Sequence, residues 1–82
     1  MQITIRYFAA ARAAAGADST VVDVTADTTL GDLETTLARD NPDLRSVLAR
    51  CSYLRDSIAL CDRTVALGAC ETIDVLPPFA GG

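Results

Sequence analysis

Residues 28–37 read Thr-Thr-Leu-Gly-Asp-Leu-Glu-Thr-Thr-Leu. Leu30, Leu33 and Leu37 recur at i, i+3 and i+7, which is one apolar stripe on a helix. Thr29 stands where an N-cap belongs. Asp32 follows three residues later, where a capping box wants an acid. The stripe faces a core, and Asp32, Glu34 and Arg39 are read as the wet side. Asn41-Pro42 ends the helix, because a proline disfavours helical geometry in the residue before it. Asn41 then caps a short second helix beginning at Pro42, with Leu44, Val47 and Leu48 turned inward.

The flanking segments read as strands. Residues 2–8 alternate, with Ile3, Ile5 and Tyr7 on one face and Gln2, Thr4 and Arg6 on the other. Residues 19–25 place Val22 and Val24 inward and Val21 outward. Between them, the alanine-rich run 9–15 predicts a short helical turn stopped by Gly16. Past the helices, 57–61 are expected to alternate with Ile58 and Leu60 inward. Thr64-Val65-Ala66 forms a short strand, Gly68 a turn, and 72–76 the last strand, with Ile73 and Val75 inward. Two strands, one principal helix, then two or three strands give a two-layer α+β domain. The expected boundaries are 1–76 for the domain and 77–82 for an extended tail.

The chain has 82 residues, half of them apolar and 22% charged, which suits one folded domain with one thin core. It contains no histidine, tryptophan or lysine, and all seven basic residues are arginine. A histidine base, a histidine-held metal and a Schiff-base lysine are therefore excluded from its own chemistry. A net charge of −4 and a pI near 4.4 argue against nucleic acid or an anionic membrane as partner, and favour a protein with a basic patch. No apolar run reaches membrane-spanning length, and the N-terminus lacks the apolar block of a signal peptide, so the cytosol is expected. Cys51, Cys61 and Cys70 lack metal-hairpin spacing and are read as small core or half-buried residues. No metal site is expected.

With no catalytic kit in the body, chemistry falls to the end, Leu76-Pro77-Pro78-Phe79-Ala80-Gly81-Gly82. The prolines stiffen the exit from the last strand. Phe79 to Gly82 span at most about 14 Å when extended, enough to thread a narrow channel. Bare glycines admit close approach of a reactive centre to the backbone. A terminal carboxylate resists nucleophiles until activated; ATP can convert it to an acyl-adenylate, from which sulfur or nitrogen displaces AMP. Taken alone, a terminal Gly-Gly is also a frayed end or an appended scar. Against that stand the rigid proline pair and the strand leading directly into it.

Residues 5–16, with Phe8-Ala9, Arg12 and Gly16, and residues 75–82, with Pro-Pro, two residues and Gly-Gly, make the chain resemble the MoaD-type small subunit of molybdopterin synthase. The resemblance covers the whole chain. It implies a ubiquitin-like β-grasp: a mixed sheet of four to five strands packed on one principal helix. It also implies that an ATP-dependent activating enzyme adenylates Gly82 and that a sulfurtransferase system converts it to a thiocarboxylate. The tail then delivers sulfur to cyclic pyranopterin monophosphate inside the large synthase subunit, with which the chain forms a heterotetramer. Gly81 is the steric companion of Gly82, and Pro77, Pro78, Phe79 and Ala80 guide insertion. Phe8 and Leu76 belong to an apolar outer patch that docks the large subunit, whereas Arg6 and Arg12 are read as solvated. The chain itself binds no cofactor and is not an enzyme on its own; ATP is used by the activating enzyme. Three other readings stay open: a sulfur carrier for thiazole synthesis or another pathway, a ubiquitin-like protein modifier, and an interaction domain with an inert tail.

Overall fold

A computed structural model describes residues 1–78. The elements are β1 (Gln2–Tyr7), α1 (Ala9–Ala15), β2 (Ser19–Asp23), α2 (Leu30–Leu37), α3 (Pro42–Leu48), β3 (Ser52–Arg55), β4 (Ile58–Leu60) and β5 (Thr72–Leu76). They form a five-stranded sheet in the order β2-β1-β5-β3-β4. β1 and β5 run parallel at its centre, and the other pairs are antiparallel. The helices cover one face of the sheet. Ile3, Ile5, Ile73 and Val75 meet Leu30, Leu33, Leu44 and Leu48 in a single core. The α+β architecture, the mixed sheet and the principal helix α2 are those expected.

Local chemistry explains each helix boundary. The Thr29 hydroxyl accepts from the Asp32 amide at 3.1 Å, and the Asp32 carboxylate accepts from the Thr29 amide at 3.2 Å, a complete capping box. The Asn41 side chain accepts from the Leu44 amide at 3.0 Å and starts α3, with Pro42 in its first turn. Gly16 closes α1 at φ 75°, a left-handed geometry that glycine adopts without strain. Among the described residues no helix is long and apolar enough to cross a membrane.

Three strand-level expectations are corrected. Ser52–Arg55 is a strand although only Tyr53 of its four residues is fully buried, too weak an alternation to stand out. Thr64-Val65-Ala66 is not a strand; Ala66 makes one isolated bridge to Thr29, and Val65 is exposed. Ile58 shares the core-side parity of buried Leu60 but is 69% exposed. It lies at the hairpin end of an edge strand, opposite Arg55, where the core-side face is left uncovered.

The β3–β4 hairpin turns on Asp56 and Ser57, at φ 47° and 73°. Paired positive φ values are the signature of a tight two-residue hairpin turn. The Asp56 carboxylate also accepts from the amides of Glu71 and Thr72, at 3.1 and 2.9 Å, and so ties the turn to the start of β5. Ser57 makes no such contact and bears the cost of a left-handed backbone. Ser57→Gly is expected to stabilise the fold by about 1 kcal/mol, read as a higher denaturant midpoint. An unchanged or lower midpoint would show that the turn is unstrained.

Candidate functional site

Because β5 runs parallel to β1, its C-terminal end emerges beside the end of β1, in the middle of the sheet. Tyr7 registers with Val75, and the Phe8 amide donates to the Val75 carbonyl at 3.2 Å. Phe8 and Leu76 are thereby neighbouring positions on the outer sheet face, away from the helices. Phe8 is 40% exposed and Leu76 half-buried. Pro77 is half-buried, and Pro78 is exposed. Phe79, Ala80, Gly81 and Gly82, the residues expected to enter a partner and to react, lie outside the described residues.

One neighbour of this site was expected elsewhere. Arg6 is not merely solvated: its Nε and Nη2 donate to Asp74 Oδ1 and Oδ2, at 2.6 and 2.8 Å. The Asp74 side chain is 8% exposed and that of Arg6 is 53% exposed. The guanidinium also lies 5.8 Å from the centroid of the Phe8 ring, a cation–π distance. The hydrogen bonds to Asp74, and then its charge, raise the Arg6 pKa further. A long-range parallel register brings the two residues together, Arg6 opposite Asp74. The sequence signal was an opposite charge at outward positions of two strands, but nothing local says that those strands are adjacent. Arg12 does match its reading: it is exposed and sits 3.6 Å from exposed Asp18, a pair of little energetic weight.

On the helical side Glu34 is not on the wet face. It accepts from the Tyr53 hydroxyl at 2.6 Å and from Arg63 Nε at 2.8 Å. Arg63 Nη2 also donates to the Leu48 carbonyl at 3.3 Å. This network links α2, α3, β3 and the loop after β4. It closes off the polar groups of a groove of about 320 Å³ that also includes Gly31, Ala38 and Arg45. Gly31 approaches closely there: a Cβ would stand 3.2 Å from the Arg63 carbonyl oxygen, a tight contact relieved only by a small shift of that loop. The network ties these elements together, since Glu34, Tyr53 and Arg63 bond to one another and to the Leu48 carbonyl.

The cysteines divide. Cys51 and Cys70 are buried in the core, and burial raises both thiol pKa values, which makes them poor nucleophiles. Cys61 is exposed, against expectation, because it follows the end of the edge strand β4. Among the described residues no group of histidine, cysteine, aspartate and glutamate side chains is arranged to hold a metal ion.

No family model matches the chain, and no curated protein matches it. Solved structures do. Small archaeal modifier protein 1 of Haloferax volcanii superposes with a TM-score of 0.82 at 27% identity, covering 100% of both chains. A candidate molybdopterin converting factor subunit 1 from Pyrococcus furiosus gives 0.80 at 16% identity, covering 95% of this chain and 98% of its own. A chain of the complex of subunits 1 and 2 of molybdopterin-converting factor from Helicobacter pylori gives 0.69 at 18% identity over 100% of both. The strand order, the parallel central pair and these superpositions together make the fold a ubiquitin-like β-grasp.

Proposed function

We propose that this chain is a ubiquitin-like sulfur carrier acting as the small subunit of molybdopterin synthase, with Gly82 as its reactive residue. The observation that carries the reading is the placement of the tail root. Leu76 leaves the central strand of a β-grasp sheet beside Phe8, and the sequence then runs Pro-Pro-Phe-Ala-Gly-Gly. A carboxylate oxygen of Gly82 attacks the α-phosphorus of ATP and releases pyrophosphate. Hydrosulfide, released from a sulfurtransferase persulfide by a thiol reductant that is oxidised to its disulfide, displaces AMP and leaves a thiocarboxylate. The tail then enters the large subunit and passes its sulfur to the pterin precursor. ATP, the pterin and the catalytic side chains belong to the partners. That division suits a chain without histidine or lysine.

A second reading has its own support. The 27% identity over the full length is to a protein named as a modifier. In that reading an amine of a target protein displaces AMP, and the product is an amide.

Reconstitution separates the two. The chain is incubated with its activating enzyme, ATP and a sulfur donor, and its intact mass is measured. The sulfur-carrier reading expects one oxygen to be exchanged for sulfur. Adducts with larger proteins support the modifier reading instead. An unchanged mass with no adduct leaves an interaction domain and overturns both.

A further inference from the structure

The two edges of the sheet are not alike. β4 has only three residues, and a very short strand is one way to blunt an edge. β2 has five residues and pairs with β1 in continuous register, with no bulge. It carries no proline or lysine, and its only charge is Asp23. The Tyr7 amide donates to the Asp18 carbonyl and the Val24 amide to the Met1 carbonyl, each at 2.8 Å. The even-numbered residues of this segment therefore turn their main-chain groups toward β1. Such groups alternate along an antiparallel strand, so the N–H and C=O of Ser19, Val21 and Asp23 point away from the sheet. Among the described residues nothing pairs with that edge.

The open edge is complementary to itself. Val21 is its middle residue, with Ser19 and Asp23 at equal spacing on either side. When two copies pair antiparallel about Val21, the two Val21 side chains lie side by side on the outer face, where each alone is 58% exposed. Each Ser19 then stands opposite the second copy's Asp23, a hydroxyl against a carboxylate, and no acid of one strand stands opposite an acid of the other. The outward N–H and C=O groups of both strands meet and satisfy one another in this register. The inner side has room for a neighbour as well. Thr20 and Val22 face inward but are only half-buried. They line a crevice of about 290 Å³ with Leu37 and Leu44, so the helical layer does not seal the strand. Across the junction Thr20 stands opposite the second copy's Val22, a β-branched pair of the kind that suits a sheet.

We infer that β2 is a junction between two copies of this chain, which pair through their β2 edges, antiparallel and centred on Val21, into one continuous sheet. The contact is two-fold symmetric and closes on itself, so it makes a dimer and not a fibre. β1 separates β2 from β5 in the sheet order, so the junction leaves both tail roots clear, and the inference does not rest on the proposed function. One strand pair is a small interface, which makes the dimer a weak one. The −4 carried by each copy opposes it until salt screens the charge.

The test is sedimentation equilibrium of the full chain at concentrations up to about 1 mM, in about 0.5 M salt. A monomer–dimer equilibrium is expected. Val21→Glu sets like charges directly opposite each other and is expected to weaken it about tenfold or more. Ser19→Arg sets a cation against each Asp23 and is expected to tighten it about threefold. Both positions are exposed and outside the core, and thermal melts report whether the variants fold. Hydrogen exchange locates the contact: the Val21 and Asp23 amides should exchange more slowly as concentration rises, and those of β4 should not change. If Val21→Glu does not fold, Ser19→Arg and the amides decide. A chain that stays monomeric throughout would overturn the inference. So would a dimer that neither substitution alters, or one whose protected amides lie elsewhere. A dimer weakened by Val21→Glu but not tightened by Ser19→Arg would overturn the register centred on Val21. Edge amides protected only when the large subunit is added would assign β2 to an extended segment of that protein, and would overturn the dimer. Each of these results leaves sulfur loading at Gly82 to be judged on its own measurement.

Discussion

A chain lacking Gly82 should fold normally and lose sulfur loading by at least about a hundredfold. The deletion leaves a carboxylate, now on Gly81, so the chemistry of the group is unchanged. What changes is reach. One residue fewer shortens an extended tail by about 3.5 Å, whereas a misplacement of about 1 Å at a reacting centre already costs on the order of a hundredfold. Stability has no comparable dependence. The described core ends at Val75 in this strand, and glycine has no side chain to bury. A melting temperature within about 3 °C of wild type is expected. Loading within tenfold of wild type would mean that terminal position is unimportant, and a marked fall in melting temperature would mean that the tail is part of the globule.

The fold should also fail in alkali well before an average domain of its size. Tyr53 is buried, its hydroxyl bonds to the Glu34 carboxylate, and both effects raise its pKa far above the ordinary phenol value. Burial likewise raises Tyr7, Cys51 and Cys70. The sign follows from which state ionises first. Below the unfolded-state pKa values, about 8.5 for thiols and about 10 for phenols, all four groups are neutral in both states and their stabilising contribution is whole. Above them the unfolded chain ionises while the folded chain resists, so stability is lost as pH rises. Tyr53 alone withdraws about 1.4 kcal/mol for each pH unit above about 10. A domain of this length has roughly 4–12 kcal/mol in total, at about 0.05–0.15 kcal/mol per residue. Denaturant melts at rising pH should show a falling midpoint. Tyrosinate absorbance should appear together with the loss of far-ultraviolet circular dichroism. Tyr53→Phe should make the fall shallower above about pH 10. A folded protein whose tyrosines both titrate at the ordinary phenol value would contradict the burial and bonding of Tyr53.

The helical layer was readable because its signals are local. The box Thr29–Asp32, the cap Asn41 with Pro42, and Gly16 after an alanine run each act within four residues, and the structure uses all of them. The alternations of β1, β2 and β5 were readable because each buries one parity against the helices. β3 was missed because four residues with one buried side chain make no pattern, and Ile58 was misplaced because parity does not report where the covered part of a sheet ends. Glu34 and Arg6 were misread for a shared reason. Their partners, Arg63 and Tyr53 in one case and Asp74 in the other, are distant in sequence, up to 68 residues away for Arg6. Those contacts depend on the central parallel pairing and on the path of the loop after β4. The role proposed for Gly82 draws on the Pro-Pro-Phe-Ala-Gly-Gly spacing, a local pattern that needs no long-range contact to be read.

The most direct test asks where the sulfur resides. After loading, trypsin cleavage at Arg63 releases the C-terminal peptide 64–82, and fragmentation locates the change. The account predicts one oxygen replaced by sulfur at Gly82, with Cys70 in the same peptide unmodified. Sulfur added as a persulfide on exposed Cys61, or on any other cysteine, with an ordinary carboxylate at Gly82, would contradict it.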